Sequence, residues 1–206
     1  LLLPGVLAGC SGPTAASGIE GITNLPQIAY AETFSQDAEE YFVYFWQSDS
    51  EEAATFDPYI MYATMEGVAV FVVDMNDERN ATAWYDWGAH HAAYSRVIGE
   101  VIDGEYVLFE SYSEQDFPGD RGWKIVDHYG DGDVWARLNE PRVNRLPQRP
   151  ESIGITGTPT LIRIADGRLV GYNTGASSAK SLLVQYGELR GCIDLGTIVD
   201  ALDSKS

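Results

Sequence analysis

Apolar residues in this chain fall into short runs separated by polar turns, and the runs keep two different rhythms. Tyr41-Phe42-Val43-Tyr44-Phe45-Trp46 has no polar break, so the stretch from Tyr41 to Gln47 predicts a strand covered on both faces. A helical stretch follows from Glu51 to Met65, then a second apolar run from Val68 to Asp74. Strand, helix and strand in that order predict a βαβ unit in a mostly parallel core. Pro58 falls inside the helix and predicts a kink or a split there. The helix start carries its own local signal. Ser48-Asp49-Ser50-Glu51 fits a capping box, with Asp49 and Glu52 as an equivalent register.

Further along, the segment Gln27 to Glu40 predicts a short strand or turn and one helical piece, and Asn80 to Trp87 a short helix. Arg96–Ile102 and Glu105–Glu110 flank Asp103-Gly104 and predict a β-hairpin; Trp123–Tyr129 and Val134–Leu138 predict another around Gly130-Asp131-Gly132. Residues 139–150, with Pro141, Pro147 and Pro150, read as an irregular connection. Leu161 to Ile164, an Asp166-Gly167 turn and Arg168 to Tyr172 predict a final hairpin. Ser177 to Leu189 predicts a helix with Leu182, Leu183 and Tyr186 on one side, and Ile193 to Leu202 adds a turn or two.

The N-terminal residues Leu1-Leu2-Leu3-Pro4-Gly5-Val6-Leu7-Ala8-Gly9-Cys10 read as the end of a secretory signal, too short to span a bilayer. Leu7-Ala8-Gly9-Cys10 resembles the lipobox of bacterial lipoproteins, which implies a diacylglycerol on Cys10, cleavage before it, and a membrane-anchored protein facing outside the cytoplasm. Residues 1–10 are then a signal remnant with lipobox. Residues 11–24, mostly Gly, Ser, Thr and Ala, are expected to form a flexible tether, and 25–206 the folded body.

Composition narrows the partners. The 206 residues include 13 Lys and Arg against 31 Asp and Glu, a net charge of −18. Such a charge repels polyanions, which argues against nucleic-acid binding. With 45% hydrophobic residues the chain can bury one substantial core carrying an insertion. Cys192 is the one cysteine besides Cys10, so a lipidated Cys10 leaves no intramolecular disulfide.

Two segments carry a family resemblance. The run Tyr41 to Trp46 with the polar turn and helix after it, and Gly157-Thr158-Pro159-Thr160 with the hairpin after it, resemble the two halves of a thioredoxin-superfamily site. The resemblance implies an α/β thioredoxin-like fold, a central mixed sheet flanked by helices, here with a β-hairpin-rich insertion at about 89–150. It also implies a cis-proline loop at Thr158-Pro159. The redox pair of that family, Cys-x-x-Cys, falls on Ser50-Glu51-Glu52-Ala53, so no thiol pair is present for disulfide exchange. What remains is a degenerate active site and a relic groove lined by Trp46, Thr158 and Pro159, suited to an extended peptide or protein partner. The competing expectation is a thiol-disulfide oxidoreductase using Cys192 or a partner's thiol.

Other chemistry is thin, and neither a cofactor nor a metal is expected. Adjacent His90 and His91 diverge on either a helix or a strand and make a poor metal pair. His128 beside Asp127, Asp131 and Asp133 does not match a calcium-loop spacing. Trp84, Tyr85 and Trp87 form either a binding patch or packing beneath the insertion. Asn80-Ala81-Thr82 matches a glycosylation sequon, which means little behind a bacterial lipobox.

Overall fold

The computed structural model describes residues 21–127 and 132–190. In chain order the regular elements are β1 (Glu40–Trp46), α1 (Glu51–Met65), β2 (Val70–Asp74), α2 (Trp87–Tyr94), β3 (Ser95–Ile102), β4 (Glu105–Leu108), β5 (Trp123–Asp127), β6 (Asp133–Leu138), β7 (Thr160–Ala165), β8 (Arg168–Thr174) and α3 (Ala176–Arg190). They belong to two compact units. One comprises the chain up to Trp84 and from Asn144 onward, the other Tyr85–Val143.

The first unit has a thioredoxin-like α/β fold. Its sheet runs β2-β1-β7-β8, with β1 parallel to β2 and the β1–β7 and β7–β8 pairs antiparallel. The sheet is therefore mixed, and the mostly parallel core expected from the apolar runs is corrected to one parallel pair. Continuous apolarity reports burial on both faces, which β1 has, and burial does not depend on strand direction.

One face of this sheet presents Phe42, Tyr44, Val70, Val72 and Leu161 to α1 and α3, which contribute Phe56, Ile60, Ala63, Leu182 and Leu183. Gly171 on β8 lets α3 sit close, since a Cβ there would lie 2.7 Å from Leu182 Cδ1. The opposite face presents Tyr41, Val43, Phe45, Ile162 and Ile164, covered by Met75, Ala83, Ile153 and Ile155 from irregular segments and 3-10 turns. At the rim, Arg163 Nε donates to Glu40 Oε1 at 2.7 Å and its guanidinium lies 5.1 Å from the Tyr186 ring centroid. A half-buried charge is thus both paired and stacked.

Two local expectations change. The helix α1 is continuous across Pro58 and is not split. Ala54 and Pro58 are both exposed, so the carbonyl deprived of its amide partner faces water. The folded body begins earlier than residue 25: Ile22 is buried in the core and Ile22–Asn24 forms a 3-10 turn, so the tether expected over 11–24 does not extend through Ile22. The lipobox residues and Cys10 lie outside the described residues, as do Cys192 and the turn expected at 193–202. Among the described residues no helix is long and apolar enough to cross a membrane.

The second unit is an antiparallel sheet in the order β4-β3-β6-β5. Ile98, Phe117, Val134 and Ala136 form its core, with Val101, Leu108, Tyr112, Trp123 and Ile125 packed around them. Asp103 and Gly104 both take positive φ, 53° and 82°, which is the mirror-image turn that an Asp-Gly pair supports between twisted strands. The single helix expected at Asn80–Trp87 resolves into a 3-10 segment, Glu78–Ala83, capped by Asp77, and α2, capped by Asp86 through its bond from Ala89 N at 2.8 Å. Two acidic caps break one polar-apolar stretch into two short helices. Asn80 is buried, accepting from Tyr30 N and donating to Asp74 O, so the sequon side chain is structural.

At a register shift on β3, Gly99 passes so close to β4 that a Cβ would lie 2.3 Å from the Val107 carbonyl oxygen. The obstacle is backbone and cannot rotate away. Gly99→Ala is therefore expected to destabilise the protein by about 1–3 kcal/mol, read as a lower urea midpoint. An unchanged midpoint would mean that β4 can shift freely away from β3.

Candidate degenerate active site

The end of β1, the start of α1, the proline loop and the start of α3 converge. Ser50 is the N-cap of α1: its Oγ accepts from Ala53 N at 3.1 Å and donates to the Thr158 carbonyl oxygen at 3.1 Å. This corrects the frame of the expected capping box by two residues. Ser48 Oγ instead accepts from Asn76 Nδ2 at 2.8 Å, and Glu51 stands exposed in the first turn. The Thr158-Pro159 bond is cis, as the resemblance implies. Thr158 Oγ1 donates to Gln47 Oε1 at 3.2 Å, and Gly175 N donates to the Pro159 carbonyl at 2.7 Å.

Glu52 has a part the sequence did not suggest. Its Oε1 accepts from Ala176 N at 2.8 Å, at the first residue of α3, and a Cβ on Gly175 would sit 3.0 Å from the same oxygen. A carboxylate from one helix thus satisfies an amide at the N-terminus of another, where the helix dipole also favours negative charge. Ala53 is fully buried.

Trp46, expected to line the groove, is tied beneath α1. Its Nε1 donates to Asp57 Oδ2 at 3.3 Å, while Tyr44 OH donates to Asp57 Oδ1 at 2.8 Å. Tyr44 is fully buried, and its hydroxyl needs a partner. Burial, the Asp57 charge and their hydrogen bond raise the Tyr44 hydroxyl far above its ordinary range, so Tyr44 keeps its proton and donates. Burial pushes the Asp57 carboxyl above its ordinary value, and the bonds from Tyr44 and Trp46 pull it part of the way back. Neither Asp57 nor Gln47 was singled out by sequence reasoning. An Asp before a Pro in a helix gives no local sign that a strand places two donors against it.

The structure brings Ser50, Glu52, Ala53, Thr158 and Pro159 into one network. At this junction Ser50 contributes a hydroxyl and Ala53 a methyl. With its proton given to Thr158 O and a lone pair to Ala53 N, Ser50 is a cap in this arrangement, and no described histidine is bonded to it. His90 is spoken for in the second unit. Its Nε2 lies 2.7 Å from the Leu138 carbonyl and its Nδ1 2.8 Å from Tyr85 OH, which also accepts from Arg142 N at 3.0 Å. A carbonyl only accepts, so Nε2 donates to Leu138 O. Among the described residues no group of three His, Cys, Asp or Glu could hold a metal ion; His128 lies outside them.

No protein-family model and no curated protein sequence matches this chain. Among solved structures, it is similar to a yeast mitochondrial 1-Cys peroxiredoxin described with its thiol-resolving mechanism through glutathione and thioredoxin systems. The two share 10% identity over 79% of this chain and 93% of that one, with a TM-score of 0.38. A likeness this distant says nothing about activity.

Two outcomes follow from the geometry. Glu52→Ala is expected to lower stability by about 0.5–1.5 kcal/mol, whereas Glu52→Gln, whose amide oxygen can still accept from Ala176 N, retains most of it; equal losses in urea titrations would remove the inter-helix cap. For Asp57, the folded carboxyl binds a proton more readily than the unfolded one, whose ordinary value is about 3.9. Native protein therefore holds more protons between those two values, and stability falls as pH rises through that window. Relative to Asp57→Asn, the parent should gain stability as pH is lowered from neutral toward about 3.9; a flat difference across that range would contradict the burial effect.

Proposed function

We propose that this chain is a thioredoxin-like binding protein without disulfide-exchange activity, and that the groove beside the proline loop takes an extended peptide or a protein segment. The observation that carries this reading is the double commitment of Ser50, capping α1 and bonding the Thr158 carbonyl. The position from which a family thiolate would attack is filled by a structural hydroxyl. The Thr158 carbonyl retains a second lone pair, so main-chain pairing with a guest strand remains open to it. The lipobox resemblance at Leu7-Ala8-Gly9-Cys10 supports anchoring at an extracytoplasmic membrane face, where such a protein would act as an accessory or chaperone-like factor.

The test is reduction of a model disulfide protein, with dithiothreitol as terminal reductant. The variants to compare are Cys192→Ser and the double variant Ser50→Cys/Ala53→Cys. The parent should show no turnover above the dithiothreitol background, Cys192→Ser should match it, and the double variant should gain at least tenfold. Parent turnover abolished by Cys192→Ser would replace the binding proposal with the thiol oxidoreductase.

A further inference from the structure

We propose that the Arg145–Leu146 peptide bond is a processing site for a protease that cleaves after arginine, and that the two fragments stay together afterwards through the β1–β7 ladder. The site lies outside the Ser50–Thr158 network, and the proposal does not rest on the function proposed for that network.

Basic residues are scarce in this chain, 13 of 206, yet Arg142, Arg145 and Arg149 fall within the nine residues 141–149, which contain no Asp or Glu. All three are exposed, and among the described residues none of them forms a salt bridge. The backbone beside them is as open as the side chains. Residues 140–148 lie outside every helix and strand and, among the described residues, make no main-chain hydrogen bond to another main-chain group. Two of their amides are bonded to side chains, Arg142 N to Tyr85 OH and Leu146 N to its near neighbour Asn144 Oδ1, both at 3.0 Å. A protease holds its substrate as an extended strand through main-chain bonds. A segment with no ladder to give up is therefore cut at little unfolding cost.

Within this segment one bond stands out. Arg142 is held through its amide by Tyr85 and lies over the Tyr94 ring, and Val143 after it is half-buried. Arg149 is followed by Pro150, whose ring removes the N–H and crowds the bond to be cut. Arg145 and Leu146 are both exposed, Leu146 at 60%. Other basic residues precede bonds that the fold guards. The Arg121 and Gly122 amides close a 3-10 turn onto Pro118 O and Gly119 O. Asn80, after Arg79, and Leu169, after Arg168, are buried. Arg96, Lys124, Arg137, Arg163 and Lys180 lie inside strands or α3.

The step is hydrolysis. Water adds to the Arg145 carbonyl carbon and the C–N bond to Leu146 breaks, leaving a carboxylate on Arg145 and an ammonium on Leu146. One fragment keeps β1 to β6, the other β7, β8 and α3. The β1–β7 ladder joins them from the Glu40–Ala165 pair to the Phe45–Thr160 pair. Phe42 and Tyr44 of one fragment share a core with Leu161 and Leu183 of the other. After the cut the unit Tyr85–Val143 is joined to the first unit's chain at the Trp84–Tyr85 peptide alone. An insertion fastened at both ends becomes one fastened at a single end, released from the constraint of loop closure.

The experiment is digestion of the full chain with a low ratio of trypsin, followed by mass spectrometry over time and by native size-exclusion chromatography. The first cut on the N-terminal side of Arg190 should fall after Arg145. Arg145→Gln should slow the first such cut at least tenfold, with near-UV circular dichroism verifying its fold. The fragments should co-elute at the parent's volume and separate only in denaturant. Gly99→Ala, expected to be less stable, should be cut after Arg145 within about twofold of the parent's rate, because cleavage of a natively open bond does not track global stability. A first cut at another site would overturn the proposal, as would insensitivity to Arg145→Gln. Faster cutting of Gly99→Ala, which would mean that the bond opens only on global unfolding, or fragments that part without denaturant would do the same.

Discussion

Strand β1 is buried on both faces, and the first unit is arranged around that constraint. Tyr41 through Phe45 are at most 1% exposed, so each must find cover on its own side and each backbone group a partner in the ladder. Burying a large apolar side chain is worth about 1.5–3 kcal/mol, which makes every gap in that cover expensive. One face is closed by two helices and the other by irregular segments from three parts of the chain. The edges are closed by β2 on one side and β7 on the other. With β1 fixed in this way, the turn that leaves it at Gln47 must meet the loop that enters β7 at Thr160.

Polar groups at that meeting point follow from the same burial. Tyr44 carries its hydroxyl into the buried interior, and Asp57 from α1 supplies the acceptor. The carboxylate so placed also takes the Trp46 indole, which fixes the end of β1 against the helix. Ser50, the cap of the same helix, and Glu52, in its first turn, reach the proline loop and the start of α3. Four chain segments are therefore joined by side-chain bonds whose ends are set by the packing beneath them. The geometry of this junction is held by strand burial and caps, and neither needs sulfur.

Much of this was legible in the sequence, and the portions that were not share a cause. The apolar run 41–46, the Asp-Gly turns and the Gly-Thr-Pro-Thr loop each carry a signal confined to a few residues, and their elements appear close to the expected places. Strand direction was not legible, because a doubly buried strand reads the same in parallel and antiparallel pairs. The cap of α1 was placed two residues early because several Ser and Asp residues offer equivalent frames, and the frame is selected by Thr158, more than a hundred residues away. Asp57 and the second role of Glu52 depend entirely on partners distant in sequence. The helix α2 was missed because Asp86 reads equally well as the tail of one helix or the cap of the next.

The sheet edges show how the two units differ in what they leave open. The outer edge of β2 is occupied by the chain's own early residues: Val72 N donates to Pro26 O and Ile28 N to Val72 O, at 2.8 and 2.9 Å. On β5, Lys124 supplies a usual guard against strand addition, and the Asp127 amide is taken by Tyr106 OH. On β8, Arg168 and a register shift beside Ile164 do the same work. Strand β4 has only carboxylates around its apolar residues. With four residues it is also the shortest strand of its sheet, and shortness is itself a guard against strand addition.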